Sequence, residues 1–162
     1  MKKLVVLCVI LAFSLPGPAH AAGDWVWPVV GPMIRGFDPP DSPFGSGHRG
    51  IDIAAAVGTA VRATAAGTVT FAGPVGGRLF LTIDHGGGLE STYSWVEALH
   101  VRRGDPVARG QLIARSGTGH AGVLVPHLHL GVRVLDAYVD PLDYLAPVEV
   151  WRFIRLAPIT SA

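Results

Sequence analysis

Glycine and proline recur so often along this chain that little room is left for long regular segments. They account for 21 and 13 of its 162 residues, and they separate short alternating or β-branched runs. Turn residues at this density favour tight connections between segments. Within the runs, a hydrophobic pattern that repeats every two residues favours strands. No long stretch with a period of 3.6 residues competes with this pattern. We therefore predict an all-β fold, with strands at residues 59–61, 67–71, 79–83, 90–96, 111–113 and 127–134.

A single domain is predicted over residues 31–145, because a chain of this length can build one core but hardly two. A Trp- and Pro-rich lead precedes it at residues 22–30, and a tail at residues 146–162 follows it, ambiguous between strand and helix. Residues 140–145 are expected to close the domain with one helical turn, since Pro141 is tolerated at the first helical position.

The first 21 residues are predicted to be a secretory signal peptide. Lys2 and Lys3 precede an apolar run over residues 4–15, and Ala19 and Ala21 supply the small residues of a cleavage site. The run is shorter than the about 20 residues that a membrane helix needs, which makes an uncleaved anchor the weaker alternative. Cleavage would leave a secreted protein in the cell wall or periplasmic space, with no further membrane partner.

The predicted signal segment also carries residues whose removal excludes several functions. Both lysines and the one cysteine, Cys8, lie in it, so the rest of the chain can form neither a disulfide nor a lysine-linked cofactor of the biotinyl or lipoyl kind. In the rest of the chain the numbers of acidic and basic residues are nearly equal, so no basic surface for nucleic acid is expected. The chain also lacks the G-x-S-x-G elbow of a serine hydrolase. A monomer without a nucleic-acid partner is expected.

Two short motifs place histidines and an aspartate on common faces. His48 and Asp52 are four residues apart, and His127 and His129 are two apart. In an extended chain, residues at even separations point to the same side. On neighbouring strands the motifs would form a cluster with open coordination positions, which suits catalytic zinc. Each motif alone has an ordinary explanation, a surface turn or half-buried strand histidines, but the pair in one small domain favours a metal.

Several motifs in register resemble the lysostaphin/LytM-type zinc peptidases. The resemblance extends from about residue 43 to residue 134 and implies a compact antiparallel β-sheet of the barrel-sandwich hybrid type, with a metal in a groove across it. It is carried by residues 47–55, 58–63, 66–69, 85–88, 103–107, 109–113 and 126–130.

The resemblance also implies a role for each residue of the two motifs. Zn²⁺ would be held by His48, Asp52 and the second histidine of H-x-H, His129. His127 would belong to the catalytic apparatus as the group that moves protons. The enzyme would be a zinc metalloendopeptidase, and its substrate the peptide stems or cross-links of bacterial peptidoglycan.

One position departs from the family pattern. Active members usually carry a further histidine in a Y-x-H-L segment, and the matching residues 93–96 place Trp95 there. Indole can donate one hydrogen bond but cannot accept or carry a proton in acid–base work. The alternative to an enzyme is therefore a module that retains zinc, does not hydrolyse, and binds peptidoglycan or regulates another hydrolase.

Three further histidines lie outside the predicted site. His100 is expected at the surface before a turn, and His85, which precedes three glycines, is expected to be structural. His120 lies in a glycine-rich loop before the H-x-H strand. It could face the groove, and the sequence leaves this undecided.

Overall fold

The computed structural model describes residues 23–42 and 45–147. The predicted signal peptide and most of the predicted tail lie outside the described residues. Within the described part, no helix has the length and apolar character to cross a membrane. Its one helical element is a 3-10 turn at Pro141–Asp143, where the sequence predicted a helical turn.

Short strands make up nearly all of the regular structure, which confirms the predicted all-β fold. They are β1 (Met33–Arg35), β2 (Ile51–Ala54), β3 (Ala60–Arg62), β4 (Gly67–Val75), β5 (Arg78–Asp84), β6 (Leu89–Leu99), β7 (Pro106–Val107), β8 (Leu112–Ser116), β9 (His127–Val134) and β10 (Ala137–Val139).

These strands form one antiparallel sheet. Its main path runs β1-β2-β9-β6-β5-β4-β7; β10 pairs with β9, and β8 links β3 to β6. The sequence predicted β9 with its observed bounds and five other strands approximately. It did not predict β2, whose residues were taken only as an extended segment of the His48–Asp52 motif, nor β1, β7 and β10, because two or three residues are too few to show an alternating pattern.

The hydrophobic core lies on one side of β2 and β9. In β9, Leu128, Leu130 and Val132 are fully buried. Burying each such side chain contributes about 1.5–3 kcal/mol of hydrophobic free energy. Because side chains alternate along a strand, His127 and His129 lie together on the other face. The core residues of β9 therefore fix which way the H-x-H motif points.

The Trp- and Pro-rich lead contributes to the same core. Trp25 is fully buried and forms a β-bridge with Leu145. Its backbone N–H donates to the Tyr144 carbonyl at 3.0 Å, and its carbonyl accepts from Ala146 N–H at 2.7 Å. Trp27 Nε1 donates to the Ala146 carbonyl at 2.8 Å. Trp25 and Trp27 of the predicted lead therefore pack against the carboxyl-terminal end of the predicted domain.

Candidate metal centre

The register of β2 and β9 places the two histidine motifs opposite each other. Asp52 pairs with His129, and Ala54 pairs with His127. His48 lies just before β2, where a bridge with Asp38 holds its backbone. A slip of one residue would turn the side chains of β2 to the opposite face, so the buried isoleucines of β2 also secure the position of Asp52.

The carboxylate of Asp52, which is fully buried, is the centre of the site. Its Oδ1 lies 2.8 Å from His129 Nδ1 and 3.0 Å from His48 Nε2. Its Oδ2 lies 2.9 Å from His120 Nε2. One possible ligand atom from each of the four residues lies within 4.8 Å of the other three. The structure thus brings together the three predicted ligands and adds His120 to them.

Hydrogens on two of these rings point away from the carboxylate. His48 Nδ1 donates to the Gly36 carbonyl at 2.7 Å, and His120 Nδ1 donates to the Ala121 carbonyl at 3.0 Å. Because a carbonyl only accepts, the opposite nitrogen of each neutral ring presents a lone pair to Asp52. Lone pairs and a carboxylate at these distances repel unless a proton or a cation lies among them. This donor set of imidazole nitrogens and one carboxylate fits zinc.

Burial and mutual contact also set the protonation of the site. Burial by itself raises the pKa of Asp52, but the hydrogen bond with His129 and the positive charges that His48 and His129 carry when protonated outweigh it and leave this pKa well below its ordinary value. Burial lowers the pKa of His129, against the opposing effect of Asp52. At neutral pH the pair is therefore a carboxylate and a neutral imidazole, the forms that bind a metal.

His127 lies beside the cluster, fully buried. Its Nε2 is 4.0 Å from Asp52 Oδ1. Its Nδ1 donates to the Val125 carbonyl at 2.8 Å, so in the neutral ring Nε2 carries the lone pair, and this nitrogen accepts from His120 N–H at 3.3 Å. The predicted acid–base residue is thus next to the predicted metal ligands, and both of its ring nitrogens form hydrogen bonds with the loop that precedes β9.

Trp95 lies at the rim of the site, where β6 changes its partner. Residues 89–94 pair with β9, whereas β8 pairs from residue 96 onward. Between them, Trp95 has φ 66°, a conformation that is unusual for a bulky residue. Its ring centroid lies 6.1 Å from that of His120 and 5.6 Å from that of Phe80. The position at which the sequence pattern lacks a histidine therefore does border the cluster.

The remaining histidines of the described residues lie away from the cluster. His100 is exposed, as predicted. His85 is buried, its Nδ1 donates to the Ala66 carbonyl at 2.8 Å, and its Nε2 lies 2.8 Å from Ser91 Oγ, in agreement with the predicted structural role. His120 is the site residue that the sequence did not assign. Its loop has no periodicity, and its proximity to the H-x-H motif was the one available signal.

Comparison with known proteins gives relatives over most of the chain. It is 38% identical over 163 residues to an uncharacterized protein of Mycobacterium tuberculosis, covering 94% of this chain and 64% of that protein. It is 35% identical over 123 residues to the murein hydrolase activator NlpD of Salmonella dublin, covering 75% of this chain and 31% of that protein. The chain therefore spans less than two thirds of the length of these relatives.

Solved structures share the fold. A zinc-containing peptidase from Vibrio cholerae superimposes with a TM-score of 0.63 at 30% identity, over 78% of this chain and 41% of that one. The antimicrobial peptidase lysostaphin from Staphylococcus simulans gives a TM-score of 0.65 at 27% identity, over 78% of this chain and 54% of that one. Residues 46–141, more than half of the chain, match Peptidase family M23. The resemblance to lysostaphin-type proteins is thereby confirmed, and the chain belongs to peptidase family M23.

Proposed function

We propose that this protein is a zinc-dependent endopeptidase that hydrolyses peptide bonds of bacterial peptidoglycan outside the cytoplasm. The observation that carries the proposal is the convergence of His48, Asp52 and His129 on one point, with His127 beside them. The zinc-containing peptidase of Vibrio cholerae supports the metal and the reaction. The word murein in the name of NlpD supports the polymer, and the predicted signal peptide supports the location.

Zinc bound at this site would polarise the scissile carbonyl and lower the pKa of water from ~15.7 toward ~7. The protein supplies the rest of the chemistry. His48, Asp52 and His129 would hold the metal, and the Gly36 carbonyl fixes the orientation of the His48 ring. His127 Nε2, which carries a lone pair, takes the proton from the attacking water and returns it to the leaving amine.

A groove beside the cluster gives the substrate a place to bind. It has a volume of about 330 Å³ and is lined by residues of β5, β6 and the 117–119 segment. Trp95 and Gly119 belong both to this lining and to the surroundings of the histidines. Arg78 and Glu97 provide opposite charges along the same lining, which suits a peptide with both amino and carboxyl groups.

The second candidate function is a module that retains zinc, binds peptidoglycan and regulates another hydrolase. Two observations favour it. Trp95 borders the site where a further acid–base group is expected, and one relative is named as an activator of murein hydrolases.

Digestion of purified peptidoglycan by the zinc-loaded chain separates the two functions. We expect new amino termini to appear, and we expect a chelator or His129→Ala to abolish them. His100→Ala is the matched control, because His100 is exposed and outside the cluster. If the zinc-loaded wild type releases no amino termini, the peptidase proposal is wrong and the regulatory module remains.

A further inference from the structure

Residues 117–126, which connect β8 to β9, form a loop that touches the candidate metal centre twice. The side chain of His120 contacts Asp52, and the backbone N–H of His120 donates to His127 Nε2. One short segment thus contacts both a predicted metal ligand and the predicted acid–base residue.

The side chain of His120 is oriented as a metal ligand would be. The Ala121 carbonyl takes the hydrogen of its Nδ1, which leaves the lone pair of Nε2 directed at Asp52. Its ring is edge-on to His127, with centroids 4.6 Å apart, and to Trp95, with centroids 6.1 Å apart. Hydrogen bonding and ring packing therefore hold its Nε2 at the cluster.

The number of protein ligands decides what a zinc site can do. Catalytic sites have three and leave a fourth position open, whereas four ligands close the tetrahedron, as in structural sites. With His120 included, this chain offers four ligand atoms in one place.

Gly119 shows independently that the loop fits closely over His127. Its φ is 82°, and a Cβ at this position would lie 2.3–2.6 Å from atoms of the His127 ring. Only glycine lets the backbone pass so close to the imidazole. The tip of the loop, in contrast, has little apolar anchoring, because Leu124 is fully exposed and Val125 is exposed. Segments with few buried contacts open at low free-energy cost.

We infer that His120 is a fourth protein ligand of the zinc site and that the 117–126 loop holds this site in a closed resting state. The inference rests on the proposed zinc site. In the closed state His120 occupies the fourth coordination position of the zinc, which must be open for catalysis. The same loop covers His127. Lifting the loop withdraws His120 and uncovers His127 in the same movement.

Zinc affinity of the full chain, measured by competition with a chelator, tests this inference without any assay of activity. His120→Ala and His120→Gln should each weaken zinc binding at least tenfold, since even groups that only support ligands contribute about 10–100-fold. His120→Gln keeps a side-chain hydrogen bond to Asp52 within reach but removes the imidazole. His100→Ala should bind zinc like the wild type. The visible absorption of the cobalt-substituted protein should change in both His120 variants, because it reports the ligands of the metal.

The outcomes distinguish a zinc ligand from a residue that only supports Asp52. Wild-type affinity in both His120 variants would overturn the inference, and wild-type affinity in His120→Gln alone would show that His120 only supports Asp52. In both cases zinc binding by the wild type, and its loss in His129→Ala, would leave the proposed function standing. A wild-type chain that binds no zinc would overturn the proposed function itself. If circular dichroism shows that His120→Ala is unfolded, the zinc affinity of His120→Gln tests the inference instead.

Discussion

Two groups of buried polar side chains, each built around a histidine, lie in the same sheet and differ in one respect. The first, which we call the structural group, consists of Thr64, His85, Ser91 and Tyr93. The Tyr93 hydroxyl accepts from Thr64 N–H at 2.8 Å and lies 3.2 Å from Ser91 Oγ. Ser91 in turn lies 2.8 Å from His85 Nε2. Because hydroxyl groups donate as well as accept, this group satisfies its lone pairs internally.

The second group, the proposed metal cluster, consists of His48, Asp52, His120 and His129. It contains no hydroxyl, and carbonyls take the outward hydrogens of His48 and His120. Acceptors therefore outnumber donors at its centre. We therefore expect a buried histidine to stabilise the fold or to bind a metal according to the hydrogens that its neighbours can supply. Four predictions follow from this difference between the groups.

The largest expected effect is a difference between two of the buried histidines, His127 and His85. His127→Ala should lower peptidoglycan hydrolysis by about 10²–10⁴-fold with little change in zinc affinity, because it removes one acid–base group. His85→Ala should lower stability and leave the rate per folded molecule unchanged. Initial rates of amino-terminus release at saturating zinc give the comparison. Equal losses in the two variants would remove the functional distinction between His127, which lies beside the second group, and His85 of the structural group.

Trp95→His should add a proton carrier to the site and raise hydrolysis by up to about 10²-fold, the lower end of such contributions. Histidine also tolerates the positive φ of this position better than tryptophan does. The same rate assay measures the gain. Trp95→Phe, which alters the indole without adding an imidazole, is the control and should give none. An unchanged rate in Trp95→His would mean that another residue already transfers this proton.

Zinc should stabilise the protein through the metal cluster alone. At a free concentration 100-fold above Kd, it should raise the free energy of unfolding by about 2.7 kcal/mol. Urea unfolding with and without zinc measures this. Asp52→Asn should lose the gain, whereas Tyr93→Phe should keep it because Tyr93 belongs to the structural group. If zinc raised the free energy of unfolding of Asp52→Asn as much as that of the wild type, the metal would bind at a site other than this cluster.

The smallest effect is expected in the structural group. Tyr93→Phe should lower the free energy of unfolding by about 2 kcal/mol, because the buried N–H of Thr64 loses its acceptor. Zinc affinity should stay at the wild-type value. Tyr138→Phe, at an exposed tyrosine, is the matched control and should change stability by less than about 0.5 kcal/mol. A loss of zinc affinity in Tyr93→Phe would couple the two groups.

Local patterns were sufficient to predict much of this molecule. Alternation along residues 127–134 predicted both the strand and the common face of His127 and His129, because side-chain direction in a strand depends on neighbours along the chain. The same periodicity, with the spacing of His48 and Asp52, predicted a His/Asp cluster, and the resemblance to lysostaphin/LytM-type peptidases implied that His48, Asp52 and His129 are its ligands. Pro141 marked the closing 3-10 turn for a similarly local reason.

Other features depend on residues that are distant in sequence. Trp25 was assigned to a lead, yet it is buried because Leu145 and Tyr144 lie against it. Trp95 has its unusual φ because β6 leaves one partner strand for another at that point. His120 enters the metal cluster through a contact with Asp52, 68 residues away. A loop without periodicity takes its direction from the surface it packs against, and that surface exists only once the strands have paired.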